Sequence, residues 1–359
     1  MQKKMLALAA CMLCAHAALA QVQLYGGVDY GLAYRYDSLN KKQSKQVFRI
    51  NAAQADATFL GLKGSEDLAG GVKVVYQLER DFFLDTGMDR GGGFRRRAFL
   101  GLSGNFGTLG GGRVVTPYHQ MAMMMDPFAN GTVGRYSNVK ADIHHLFDLM
   151  RVSNAITYQS PKMNGWIVKA LFSNSIMMDE ESLNNNSANN TVSSLGINYM
   201  NQKVRFGASM HRIRMGTNAR KTPNGIKTID NFTVAGAYLF DSFKLSTFYS
   251  WDKLNGTQTA RFVNKKSIAQ NTLMFGASVP INKHVVKTSL NFAHNNSNQY
   301  GSAWQWALGY DYLFSKRTKF YAAYALIEND DNRHAVVSDS ANKGGLFQQG
   351  VQVGMHHKF

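Results

Sequence analysis

From Trp304 to Phe314 every second residue is large and apolar: Trp304, Trp306, Leu308, Tyr310, Tyr312 and Phe314. Between them stand Gln305, Ala307, Gly309, Asp311 and Leu313, small or polar except the last. Strict alternation is the period of a β-strand with two unlike faces. It recurs from end to end of the chain. Val22, Leu24, Val28, Tyr30, Leu32, Tyr34 and Tyr36 share one face with Gly26, while Gln23, Tyr25, Asp29 and Arg35 share the other. Val74, Tyr76 and Leu78 alternate with Lys73, Val75, Gln77 and Glu79. The same pattern marks Trp166–Phe172, Val204–Met210, Phe232–Phe240, Phe243–Trp251, Val286–Phe292, Phe320–Leu326 and Val351–Met355. The fold class is all-β.

The connections alternate too. Short ones, such as Asn201-Gln202, Asp241-Ser242 and Ser315–Arg317, take turns with long ones rich in Asn, Ser, Lys, Asp and Gly, such as Asp37–Ala52, Pro117–Met150 and Lys253–Ile268. A strand on each side of every connection predicts sixteen strands, an even number, with both termini at the short-turn end. Short turns at one end and long loops at the other are the signature of an outer-membrane barrel. Tyr and Trp crowd one face, and the other carries Gln, Lys, Ser, Thr, Arg and Asp even in mid-strand. Aromatic girdles belong at a bilayer interface. A spanning sheet must also close, because an open edge in hydrocarbon strands backbone polar groups. Sixteen strands enclose an aqueous lumen, whereas eight would be filled by side chains.

The first twenty residues read as a secretory signal peptide: Lys3 and Lys4, an apolar stretch, then Ala18-Leu19-Ala20 at a small-x-small cleavage site. Leu8-Ala9-Ala10-Cys11 resembles a lipoprotein box, but it would leave an apolar region shorter than export requires. Residues 21–359 form the barrel domain. Both cysteines, Cys11 and Cys14, leave with the signal, so the mature chain has no disulfide, thiolate nucleophile or Cys-ligated metal. The net charge of +17 favours anionic partners. Its basic residues are scattered without a polybasic block, and export argues against nucleic acid. There is no run of 18 apolar residues beyond the signal, which does not count against barrel strands.

Several motifs invite sharper readings. Adjacent histidines His144-His145 and His356-His357 point to opposite faces of a strand and have no cysteine partner, so no metal and no cofactor is assigned. "GTLGGGR" lacks the Lys-Ser/Thr of a phosphate loop and reads as a tight turn and thin wall. The strand Phe94–Ser103 has an open register: either Arg95 and Arg97 or Arg96 points outward under strict alternation. No Gly-x-Ser-x-Gly nucleophile occurs, which weighs against an outer-membrane hydrolase and for a chain that is not an enzyme.

"LYGGVDYGLAY", "FLGLKGSEDLAGGVKVVYQLE", "FRRRAFLGLSGNFGTLGGGR", "NAITYQSPKMNGW", "YDYLFSKRTKFYAAYA" and the ending "GVQVGMHHKF" resemble, in family order, the β-proteobacterial general porins of Gram-negative bacteria. The resemblance implies a sixteen-stranded antiparallel transmembrane barrel in the outer membrane, a homotrimer, with the third long loop folded into the lumen as the constriction. It implies contact with outer-membrane lipid and lipopolysaccharide, and places wall arginines at Arg96, Arg113 and Arg151 with a carboxylate at Glu79. Asp126 is expected to supply negative charge from the loop. Where the family reads Ser-Arg before "LGLKGSEDL", this chain has Thr58-Phe59, an altered eyelet position. Phe359 resembles the terminal aromatic read by the outer-membrane assembly machinery. The glycine-rich wall Gly107–Gly112 suits subunit contact. The methionine-rich third loop is expected to line the pore apolarly. Implied is a passive channel for small hydrophilic solutes, with anion preference set by pore arginines; a solute-specific channel is the alternative.

Overall fold

The computed structural model describes residues 21–40, 43–52, 54–140, 150–174, 190–215, 226–256, 267–296, 301–330, 335–337 and 345–359. The expected signal peptide, residues 1–20, and the His144-His145 pair lie outside them. Strands follow in chain order: β1 (Gln21–Asn40), β2 (Gln43–Ala52), β3 (Phe59–Asp67), β4 (Lys73–Asp81), β5 (Arg97–Gly104) and β6 (Gly107–Val115). A helix α1 (Pro117–Met125) and a 3-10 turn (Tyr136–Lys140) precede β7 (Arg151–Gln159), β8 (Trp166–Ser173), β9 (Thr191–Met200) and β10 (Val204–Arg214). Then come β11 (Ile226–Leu239), β12 (Lys244–Gly256), β13 (Ser267–Ile281), β14 (His284–Asn295), β15 (Ser302–Leu313), β16 (Thr318–Asn329) and β17 (Phe347–Lys358).

All pairings are antiparallel between neighbours, and β1 closes the cylinder on β17, from Gly27↔Lys358 to Ser38↔Phe347. The seventeen segments make sixteen staves, because β3 pairs with the first part of β1 (Gln21↔Ser65 to Gly27↔Phe59) and β2 with the rest. The second stave is broken where residues 54–58 leave the ladder. Asp29, buried inside β1, holds that break: its carboxylate accepts the backbone N–H groups of Gln54, Ala55 and Asp56 and the hydroxyl of Tyr321. Four donors satisfy a buried charge that would otherwise be costly.

The alternation read from sequence is the observed one. Leu100, Leu102, Met210, Phe292, Leu308, Tyr310 and Met355 are exposed on the outside, and their neighbours Gly101, Ser209, His211, Asn291, Gly309 and His356 are buried inside. Eight residues, the length of β5, cover about 26 Å at about 3.3 Å per residue, matching the apolar band of about 25 Å on such barrels. The start of β1 and the C-terminal Phe359 lie at the short-turn end, where Gly26 and Phe359 exchange two backbone hydrogen bonds.

One expected loop is not a loop. Residues 37–40 and 43–52 continue the ladder of β1 and β2, in register to Ser38↔Ser44 and, past a bulge, paired again at Asn40↔Gln43, with Phe48 and Ile50 outward and Val47 and Arg49 inward. Their Lys, Gln and Ser suggested a loop, but a ladder beyond the apolar band needs backbone pairing rather than apolar side chains. The register of the Phe94–Ser103 stretch also resolves: Phe99 and Arg97 point inward and Leu100 and Leu102 outward, while Arg96 precedes the strand.

Candidate pore constriction

The third loop begins where β6 is broken by a bulge between Gly112 and Val114. Gly112 has φ +124°, where a side chain would collide with the Ala98 carbonyl. Thr116 then caps α1, its hydroxyl accepting from the His119 N–H at 3.2 Å, with Pro117 at the first helical position. The helix lies against the inner wall. Tyr118, Met121, Ala122 and Met125 are buried with Ile213, Ile229, Phe248 and Met274.

Inward-facing glycines make room for this path. A Cβ on Gly196 would stand 2.6 Å from Pro117, one on Gly207 2.6 Å from Met121, and one on Gly309 2.7 Å from Phe128; Gly276 meets Pro127 and Gly350 meets Val133 in the same way. Five staves thus carry a seat for one loop. The described part of the loop, residues 117–140, touches inward-facing wall residues and so lies against the inner side of the wall. Sequence reading did not single these glycines out, although glycine at a position whose strand neighbours are polar and inward was the available signal.

Past the helix the chain doubles back through three residues of positive φ, Ala129, Asn130 and Thr132. Asp126 directs this turn. Its carboxylate accepts from the N–H groups of Phe128 (3.0 Å), Asn130 (2.9 Å) and Tyr136 (3.1 Å). Burial raises its pKa, against the pull of those three donors. At 3% exposure Asp126 does not present negative charge to the lumen as expected; its lone pairs are used by the loop's own backbone. The turn docks on the break in the second stave, where the Thr132 N–H meets the Gln54 carbonyl, and on β17, where the Val133 N–H donates to Gln352 Oε1 at 2.7 Å. Asn138 then reaches Gln305 (2.7 Å).

The last anchor is an ion pair. Lys140 Nζ is 2.8 Å from Asp252 Oδ2, with side chains 1% and 0% exposed, and also donates to Tyr118 Oη and Ser250 Oγ. Asn231 supplies Asp252 with a further hydrogen bond at 2.6 Å. Nothing in the sequence pattern distinguished Lys140 from the scattered surface lysines.

Between this loop and the wall built by β1, β2, β17 and the break lies a cavity of about 610 Å³. Six arginines line it: Arg35, Arg49, Arg90, Arg96, Arg135 and Arg151. Asp56 is the one carboxylate in the lining among the described residues. Arg96 and Arg151 stand together, the Arg151 Nε–H donating to the Arg96 carbonyl at 2.8 Å. Arg96 is 3.3 Å from Glu79, and its guanidinium lies 4.4 Å from the ring centre of Phe59. Glu79 in turn accepts from Tyr25 and Gln77. Phe59 therefore sits behind Arg96 and outside the cavity lining. Arg113 is in the wall too, bonded to the Arg95 carbonyl and the Ser153 hydroxyl, and likewise outside that lining. The methionines divide: Met121 and Met125 pack the helix down against the wall, while Met123 and Met150 line the cavity.

Comparison with known proteins follows the same line. A family model described as Gram-negative porin matches residues 7–332. The chain is 31% identical, over the whole of both sequences, to outer membrane porin protein 32 of Delftia acidovorans. It is 25% identical to major outer membrane protein P.IB of Neisseria gonorrhoeae, over 90% of this chain and 93% of that one. Among solved structures, an anion-selective porin from Comamonas acidovorans superposes with TM-score 0.79 at 26% identity, covering 95% of this chain and all of that one.

Proposed function

The chain belongs to the Gram-negative porin family, a family of outer-membrane channels rather than enzymes, and from that premise we propose that it is a passive diffusion channel with anion preference. The observation that carries the preference is the cavity lining, six arginines against one carboxylate among the described residues. A narrow path through low-dielectric walls screens such charges less than an open surface does. An anion gains there what a cation loses, without any bond being made or broken. Arg96 and Arg151 are the filter residues of this reading, Glu79 orients Arg96, and Arg113 stiffens the wall behind them. That the similar Comamonas protein is described as anion-selective supports the same assignment. The test is a salt-gradient recording of the purified channel in a planar bilayer. The reversal potential is expected to lie on the chloride side; a value on the potassium side would refute the preference.

The assembly belongs to the same proposal. The outer faces of β3, β5, β6 and β7 carry aliphatic side chains, Leu60, Leu62, Leu100, Leu102, Leu109 and Ile156, beside the flat Gly110–Gly112 wall. Trp and Tyr dominate the outer face of β15. An aliphatic flat face suits another subunit, an aromatic one suits the lipid interface and lipopolysaccharide. A trimer is expected to run as a high-mass band in cold detergent and collapse to a monomer on boiling. Migration as a monomer in every mild detergent would count against it. Phe359, paired with Gly26 at the seam, is the proposed assembly signal, and residues 1–20 the proposed export signal.

A further inference from the structure

At the short-turn end of β14, β15 and β16 the outer face of the barrel carries an aromatic cluster beside a row of cations. The His284 ring lies 5.2 Å from Tyr312 and 5.8 Å from Tyr310, and its Nδ1 is 2.6 Å from the Tyr310 hydroxyl. Phe314 meets Tyr312 edge-on at 4.8 Å and is 56% exposed. The register sets Tyr312 between His284 and Phe320, and Tyr310 level with Ala322. Ala322 is level in turn with Val353 on β17. Along the outer face of β16 stand Phe320, Ala322, Tyr324 and Leu326, of which the alanine alone is small. The surface therefore has a notch there, walled by Tyr310, Phe320, Tyr324 and Val353.

Three cations edge this face. Lys283 is in the two-residue turn between β13 and β14, and Lys316 and Arg317 are at the tip of the turn between β15 and β16. The two turns touch, the Leu313 N–H donating to the Lys283 carbonyl at 2.7 Å. All three residues are exposed, and none is ion-paired among the described residues. The carboxylates nearby are engaged elsewhere. Asp311 points inward to Lys287 and Lys319, at 3.0 and 3.1 Å, and the terminal carboxylate of Phe359 accepts from the Gly26 N–H at the seam. Asp241 stands on the next short turn, two staves from Lys283. The edge is left with an excess of positive charge.

Short turns of outer-membrane barrels face the periplasm, so this face meets the phospholipid leaflet. We propose that it holds one anionic phospholipid, its phosphate among Lys283, Lys316 and Arg317 and an acyl chain in the notch at Ala322. The spacing fits one lipid. Ala322 is five residues beyond Arg317, about 17 Å at about 3.3 Å per residue. A strand tilted by about 45° covers about 12 Å of depth over that length, inside a leaflet whose hydrocarbon is about 15 Å thick. The Tyr and His rings occupy the level between, where a ring is apolar on one side and wet on the other. Charge selects the lipid: a zwitterionic headgroup brings a cation of its own against the lysines and arginine, and an anionic one does not. This goes beyond the channel reading and rests on the barrel spanning the outer membrane, whichever ions pass.

The test uses the intact purified channel in mild detergent, titrated with phosphatidylglycerol or with phosphatidylcholine of the same chains. Native mass spectrometry reads the lipid retained per subunit. One phosphatidylglycerol per subunit is expected at concentrations where phosphatidylcholine is not retained. Lys316→Gln combined with Arg317→Gln should raise the half-saturating concentration about thirtyfold, the worth of two cations at an anionic lipid surface. Ala322→Trp, which fills the notch and leaves the charges alone, should also weaken retention. Lys203→Gln, on the turn between β9 and β10, should leave it unchanged. The heat-stable barrel band checks the folding of each variant, and Lys283→Gln serves if the double variant loses it. Equal retention of the two lipids would overturn the proposal. So would retention indifferent to the double variant, or lowered as much by Lys203→Gln, which would mark diffuse attraction to basic turns. A reversal potential on the potassium side would refute the anion preference and leave this result standing.

Discussion

Replacing Lys140 with methionine is expected to release the far end of the third loop while the barrel itself stays closed. The lysine ammonium is 2.8 Å from Asp252 in a site where neither side chain sees solvent. Removing one member of a buried pair leaves the other charged and desolvated, at a cost of about 3–5 kcal/mol. Asp252 keeps hydrogen bonds from Asn231 and Ser250, but these are neutral donors. The sheet does not depend on the pair, since β12 is laddered along its length to β11 and β13. The loop can swing out instead, and that is the cheaper way to let water reach Asp252. The Lys140→Met channel should therefore show current noise and rapid closures absent from the wild type. Its third loop should be cut by added protease while the heat-stable barrel band remains. Pairing it with Asp252→Asn removes the stranded charge and keeps an acceptor for Asn231, so quiet currents should return. A single variant as quiet and as protease-resistant as the wild type would show that the glycine seats and Asn138 hold the loop unaided.

That anchor also marks the limit of what the sequence alone could yield. Period-two alternation is dictated by backbone geometry and by the bilayer, so strands such as Trp304–Phe314 could be read directly. The break at residues 54–58 could not, because it depends on Asp29 gathering three backbone N–H groups from a segment some 25 residues away. Asp126 was misjudged for a related reason. A carboxylate in a loop suggests charge offered to the lumen, yet a loop that turns through positive φ has orphan N–H groups that claim it first. Family likeness pointed to Arg96 and Arg151, and both line the cavity. It could not foresee Arg35, Arg49, Arg90 and Arg135, which come together from β1, β2 and the second and third loops only after closure. Seats such as Gly196 and Gly207 acquire meaning only when the loop they accommodate is in place.

Replacing Arg151 with alanine is expected to cut the chloride-to-potassium permeability ratio several-fold and to raise conductance modestly. A unit charge about 8 Å from a passing ion contributes about 2 kcal/mol at an effective dielectric constant of 20. Screening over a Debye length of about 8 Å reduces this to somewhat under 1 kcal/mol. The term has opposite sign for the two ions, so its effect on their ratio is doubled, and a change of about tenfold is the ceiling. Removing the side chain also widens the path. Charge and width are separated by Phe59, whose ring lies behind Arg96 without entering the cavity lining. Phe59→Arg adds a cation there and should move the reversal potential further towards chloride. Phe59→Ala changes no charge and takes the ring from beneath Arg96, so it should alter conductance more than selectivity. If Arg151→Ala and Phe59→Arg both leave the reversal potential where it was, these charges do not govern selectivity. The filter would then lie with the remaining arginines, Arg35, Arg49, Arg90 and Arg135, at whose level the same recordings can be repeated.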